Sequence, residues 1–142
     1  MRIEDRRFVI VGAGMVGPSL ALGLASGGAR VCAVASRRLE SARACADAVG
    51  CPLATTDVAE AARAGDVIVL SVPDDAVGPV CERIASGGGF APGDVAVHLS
   101  GALGSDALEA ARAAGATALA FHPIQSFAQA DGRLFECRVL KR

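Results

Sequence analysis

Short apolar runs alternate along this chain with stretches in which apolar residues return every three or four positions, and glycine or proline stands at most junctions. Residues 8–11, Phe-Val-Ile-Val, have the length and composition of a buried strand. A glycine-rich stretch, Gly12-Ala13-Gly14-Met15-Val16-Gly17, follows it. Next comes a helical pattern with Leu20 and Leu24 four apart, which stops at Gly27-Gly28. Residues 30–35 read as a second strand. Residues 39–49 read as a helix with Leu39, Ala42, Ala46 and Val49 on one face and Gly50 at its end. A short third strand is expected at 53–55, and Asp57 is placed to cap a brief helix reaching Ala64.

Residues 67–72 form the most strand-like run of the chain. Pro73 ends it, and Asp74 or Asp75 is placed to cap a helix whose Val77, Val80, Cys81 and Ile84 make a core face. Beyond the glycines at 87–89, a fifth strand is expected at 94–99 and a turn at 100–104. Ser105 would cap a helix carrying Leu108 and Ala111, and a sixth strand at 117–121 stops at His122-Pro123. Strands alternating with helices predict an α/β fold: a doubly wound parallel sheet of about six strands, right-handed crossovers, and helices on both faces. Residues 1–128 are expected to form this domain. Residues 129–142 have no period, carry Arg133, Arg138, Lys141 and Arg142, and are expected to be a poorly structured tail.

Composition sharpens this picture in three ways. The chain of 142 residues suits one domain, and with 52% apolar residues but no Trp or Tyr its core must be built from Ala, Val, Leu and Ile. A net charge of −1 gives no reason to expect nucleic acid or an acidic membrane surface as a partner. The five cysteines, Cys32, Cys45, Cys51, Cys81 and Cys137, are odd in number and lack C-x-x-C spacing, so they read as small buried hydrophobes in a reducing compartment. The charged start, and the absence of any apolar stretch near the ~20 residues of a membrane span, lead us to expect a cytoplasmic protein.

The candidate chemistry begins at the glycines. A G-x-G-x-x-G between a strand and a helix is the arrangement that takes a dinucleotide. Gly12 permits the tight turn, Gly14 lets the backbone approach a pyrophosphate, and Gly17 lets the helix pack closely; Ala13, Met15 and Val16 complete the loop. The first-turn N–H groups and the positive helix end face the phosphates, and Pro18 is tolerated in that turn. At the end of the second strand, where NAD-binding units carry a carboxylate, this chain has Ser36-Arg37-Arg38. Two guanidiniums suit a 2′-phosphate, so NADP, as NADPH, is favoured over NADH. The plainer alternative is a pair of solvated arginines at a helix start, although cations there want an anion nearby.

Ligands of such sheets bind outside the carboxyl ends of the strands. Those ends bring in Ser71, Val72 and Pro73 against the nicotinamide ribose, then Ser100, then His122. His122 is suited to exchange a proton near neutral pH while Ser100 supplies a second hydrogen bond. Alternatively His122 only ends a strand before proline, and Ser100-Gly101 is only turn chemistry. His98, within a strand, reads as a satisfied core histidine, and no metal site is expected.

The segments VIVGAGMVGPSLALGL, VIVLSVPDDAV, HLSGALGSDAL and AFHPIQSF together resemble a family of bacterial NADP oxidoreductases, the "Rossmann-like and DUF2520 domain" proteins. These are relatives of pyrroline-5-carboxylate reductase and 6-phosphogluconate dehydrogenase, and the resemblance runs over about 7–128. It implies an NADP(H)-dependent hydride transfer to or from a small polar substrate. The chain is also similar to prephenate dehydrogenases, in which a Ser after the fifth strand and a His-Pro after the sixth reach the substrate hydroxyl. By that likeness Ser100 and His122 become substrate contacts, although Ile124-Gln125-Ser126 replaces the glycine-containing turn of those enzymes. These families carry a helical C-terminal domain that the sequence up to Arg142 does not resemble. The expectation is therefore that the chain is a fragment or a truncated gene product, or that a homodimer or another partner supplies the missing wall; the alternative is a non-catalytic NADP-binding module or truncated remnant acting as a sensor or scaffold.

Overall fold

The computed structural model describes residues 5–13 and 16–121. Six strands, β1 (Arg7–Val11), β2 (Arg30–Ala35), β3 (Ala54–Thr55), β4 (Val67–Leu70), β5 (Val95–His98) and β6 (Thr117–Ala120), form one sheet in the order β3-β2-β1-β4-β5-β6. Every neighbouring pair is parallel. Five helices connect them: α1 (Val16–Ser26), α2 (Leu39–Val49), α3 (Val58–Arg63), α4 (Asp74–Ser86) and α5 (Glu109–Ala113), the last preceded by a 3-10 turn over Ser105–Leu108. The doubly wound α/β architecture expected from the alternation is the one observed.

Parallel strands covered on both faces should read as continuous apolar runs, and Phe8, Val9, Ile10 and Val11 are all buried. Alternation divides them between two cores. Val9, Val11, Ile68 and Leu70 pack with α3, α4 and α5 through residues such as Ala61, Val77, Ile84 and Ala111. Phe8, Ile10, Val67 and Val69 pack with α1 and α2 through Leu20, Ala21, Ala42 and Cys45. Small side chains on the helices let them lie close to a sheet of branched residues, which is how a core forms with few aromatics, Phe8 and Phe90 among them.

Helix ends follow the punctuation of the sequence in most places. Asp57 caps α3, accepting from the N–H groups of Ala59 at 3.0 Å and Glu60 at 3.2 Å. Gly50 closes α2 at φ +68°, and the Cys51 N–H returns 2.8 Å to the Ala46 carbonyl. Two expected caps are corrected. Pro73, with φ held at −55°, is the extended residue before α4, so Asp74 and Asp75 fall inside the first turn and face the helix dipole without capping it. Gly104 takes the corresponding place before the 3-10 turn, while the Ser105 hydroxyl accepts from Arg112 Nη2 at 2.7 Å.

Of the cysteines, Cys45 and Cys81 are buried, Cys32 and Cys51 half-buried, and all four are free thiols; Cys137 lies outside the described residues. Burial, then the neighbouring Cys51, pushes the Cys45 thiol up to about 11, and burial also raises Cys51 and Cys81. These three are packing residues at neutral pH, not thiolate nucleophiles. Among the described residues no helix is long and apolar enough to cross a membrane.

Candidate functional site

The sheet register lines up one residue from each strand in a level row: Thr55, Ala35, Val11, Leu70, His98 and Ala120. The next residues leave along the same edge, still tied to their neighbours. Ser36 N–H donates to the Thr55 carbonyl at 3.2 Å, Gly12 N–H to Ala35 at 2.7 Å, Ser71 N–H to Val11 at 2.8 Å, and Phe121 N–H to His98 at 2.9 Å. One carboxyl-end rim therefore carries Gly12, Ser36, Ser71 and Ser100. The strand order changes direction at β1, between β2 and β4, which is where such sheets open a crevice for ligands.

At that crevice the chain is packed backbone on backbone. Gly12 holds φ +103°, a conformation that side-chain-bearing residues rarely adopt. A Cβ there would run into the Ser71 carbonyl and come within 3.0 Å of Val72 Cγ1. A Cβ on Gly17 would run into the Gly12 carbonyl and lie 2.9 Å from Ser71 Oγ. Both glycines are thus required by close approach: backbone already occupies the places their side chains would take, so that β1, β4 and α1 meet in a cradle of bare backbone. The end of α1 that meets this cradle has no acidic residue in its first turn, so the positive pole of the helix is left for a ligand.

Ser71 is more than a rim residue. Its hydroxyl donates to the Gly12 carbonyl at 2.8 Å and lies 3.3 Å from that of Val11. Val72 packs toward the α4 side of the core and Pro73 is exposed at the start of α4. Of the loop, Ala13 packs against the α1 side and Val16 opens α1, whereas Gly14 and Met15 lie outside the described residues.

The segment after β2 divides into two kinds of residue. Ser36 is half-buried and tied to β3. Arg38 is the extended residue before α2 and pairs with Glu40 in its first turn, Nη2 to Oε1 at 3.1 Å, both side chains well exposed. The anion that a cation at a helix start requires is therefore supplied for Arg38 by the chain itself. Arg37 is exposed and has no ion pair or hydrogen bond among the described residues.

At the β5 end, His98 is fully buried between two partners. The Ser100 N–H donates to Nδ1 at 3.1 Å, which leaves Nε2 to carry the proton and donate to the Gly104 carbonyl at 2.8 Å. The ring is satisfied, as expected, but its partners are the two ends of the Ser100–Gly104 loop. Sequence reading missed this role, because an i to i+6 contact across a turn has no periodic signal. The Ser100 hydroxyl accepts from the Ala102 N–H at 3.1 Å, which is turn chemistry and leaves its own O–H to donate. His122 and the residues after it lie outside the described residues. An open groove between α3 and α4, lined by Arg63, Pro79, Glu82 and Arg83 among others, shares no residue with this rim. No group of His, Cys, Asp or Glu among the described residues could hold a metal ion.

The model of a family described as NADP oxidoreductase coenzyme F420-dependent matches residues 7–89, which is more than half of the chain. A candidate NADP oxidoreductase from Bacteroides fragilis is 30% identical over 90% of this chain and 48% of its own, with a TM-score of 0.75. An imine reductase from Streptomyces aurantiacus is 25% identical over 84% of this chain and 42% of its own, with a TM-score of 0.67. Prephenate dehydrogenase from A. aeolicus, solved with hydroxyphenyl propionate and NAD+, is 20% identical and shares the fold at a TM-score of 0.70, over 84% of this chain and 42% of its own. The chain spans about half the length of these structures.

Proposed function

The chain belongs to the NADP oxidoreductase, coenzyme F420-dependent family, and from that premise we propose that it is the dinucleotide-binding half of an NADP(H)-dependent oxidoreductase acting on a small polar substrate. The observation that carries this reading is the cradle at the crevice, where Gly12, Gly17 and Ser71 pack so closely that no side chain fits. Such a surface suits a pyrophosphate, which needs bare N–H groups and the positive end of α1. Gly12, Ala13, Gly14, Met15, Val16 and Gly17 would hold it, with Val72 and Pro73 flanking the ribose. When bound, the nicotinamide supplies or accepts the hydride.

NADP is our choice over NAD, and Arg37 now bears most of that choice. With Arg38 already paired to Glu40, Arg37 and the Ser36 hydroxyl are left to meet a 2′-phosphate. Arg37→Ala is expected to weaken NADPH about tenfold while leaving NADH within about twofold, read by fluorescence titration of both dinucleotides. Equal losses for the two would remove the selectivity argument.

For the reacting end we propose that His122 exchanges a proton with the substrate polar group and that Ser100 donates a second hydrogen bond to it. The HLSGAL and FHPIQSF segments around these residues support placing the chain in the Rossmann-like and DUF2520 group. Residues 1–128 would be the dinucleotide domain. Turnover by the assembled protein is expected to drop by about a hundredfold or more in His122→Ala. Unchanged turnover in that variant would exclude the role. Dinucleotide binding with no turnover on imines, keto acids or hydroxy acids would instead favour a non-catalytic binding module.

A further inference from the structure

We propose that Ser71 is a positioning residue that closes the glycine loop at both ends and thereby sets it for the dinucleotide, without itself contacting the ligand. This rests on the reading that the loop takes a dinucleotide. Every polar atom of Ser71 is turned toward the end of β1 or the loop that follows it. Its N–H is committed to the Val11 carbonyl at 2.8 Å. Its hydroxyl has one proton, and the Gly12 carbonyl at 2.8 Å is a better acceptor for it than Val11 at 3.3 Å. Its own carbonyl lies against Gly12, where a Cβ would strike it. No donor of this residue is left to reach a ribose.

The hydroxyl also lies beside the far end of the loop, across the place a Gly17 side chain would take. The position a Gly17 Cβ would take is 2.9 Å from Ser71 Oγ, and the same position runs into the Gly12 carbonyl. Gly12 begins the loop and Gly17 ends it, five residues on, so their mutual approach closes a small ring. The group wedged at the closure comes from β4, some sixty residues away in the chain. Serine suits this place for a physical reason. It is the smallest side chain with a strong donor, and Gly17, having no Cβ, leaves the place of its oxygen open. Without the hydroxyl the Gly12 carbonyl loses its partner, and the ring loses the contact that fixes its width. A loop whose N–H groups must converge on phosphates then bears an ordering cost at binding that the native loop has met in advance.

The test uses the full chain in two measurements. NADPH is titrated into wild type, Ser71→Ala, Ser71→Cys and Ser71→Thr below their unfolding temperatures, and amide hydrogen exchange is followed without ligand. Ser71→Ala and Ser71→Cys, lacking a strong donor, are expected to bind about five- to tenfold more weakly, and Ser71→Thr within about twofold of wild type. Exchange is expected to rise over 12–17 in the weakened variants and to stay unchanged over β5. Wild-type affinity in Ser71→Ala, or exchange that rises in β5 as much as in the loop, would overturn the proposal. Should Ser71→Ala fail to fold, Ser71→Cys decides by the same two readings. A wild-type chain that takes neither NADPH nor NADH would instead refute the dinucleotide reading, and the exchange measurement would still judge the latch.

Discussion

Gly17→Ala is expected to destabilise the protein by about 1–3 kcal/mol and to weaken NADPH binding at least tenfold in what remains folded. The added methyl has nowhere to go. It would meet the Gly12 carbonyl on one side and Ser71 Oγ at 2.9 Å on the other, and the first of these is backbone. Relief requires α1 to move away from β1, which opens the Gly12–Ser71 contact and misplaces the first-turn N–H groups together. A second glycine provides the control. Gly78 lies inside α4, where a Cβ would find only the Ala107 carbonyl at 4.0 Å. Gly78→Ala is expected to leave stability level or slightly raised, since helix propensity favours alanine while the following Pro79 offsets part of the gain. Urea unfolding and an NADPH titration on the three proteins decide the point. Equal behaviour of the two variants would show that the cradle is not tight.

The second large effect is expected at His98. Replacing it with leucine keeps the buried volume but removes the partners of the Ser100 N–H and the Gly104 carbonyl. Each orphaned group costs about 1–3 kcal/mol, and because both lie near the surface a total of about 2–4 kcal/mol is expected in urea unfolding. His98→Asn should recover part of the loss. An asparagine oxygen reaches the N–H two residues on, as the ring nitrogen does for Ser100, but not the Gly104 carbonyl. Identical stabilities for the leucine and asparagine variants would argue that the hydrogen bond to Ser100 contributes nothing.

Most of the architecture could be read from the chain because each strand is a short apolar run with glycine, proline or a polar residue at its limits. The strand following Asp66 illustrates how far that goes. Its expected run continues to Val72, but β4 ends at Leu70: the Ser71 N–H still bonds the Val11 carbonyl, and beyond it the partner strand β1 has ended and the chain turns at Gly12. Nothing local to residues 67–72 carries that information; it depends on the register of β4 against β1. The sequence offers Asp74 or Asp75 as a cap because an acidic residue just before or just inside a helix gives the same pattern. Pro73 decided between the two by fixing the extended residue. Arg38 is the opposite case. The anion its position calls for stands two residues on as Glu40, plain in the sequence, whereas the pattern of the site drew attention to a phosphate.

The site itself was half legible. Gly12 and Gly17 sit where the motif places them, with close contacts that explain the residue type. Ser100 lies on the expected rim, but its surroundings are set by His98, whose partners are reached only once the 100–104 turn is folded. Gly14, Met15 and His122 fall outside the described residues, so the chemistry proposed for them rests on motif and resemblance.

The most direct measurement is calorimetric titration of the full chain with NADPH and NADH side by side. Saturable one-to-one binding, tighter for NADPH, is the expected result. An absence of saturable binding for both dinucleotides would contradict the central claim, whatever the glycine loop looks like.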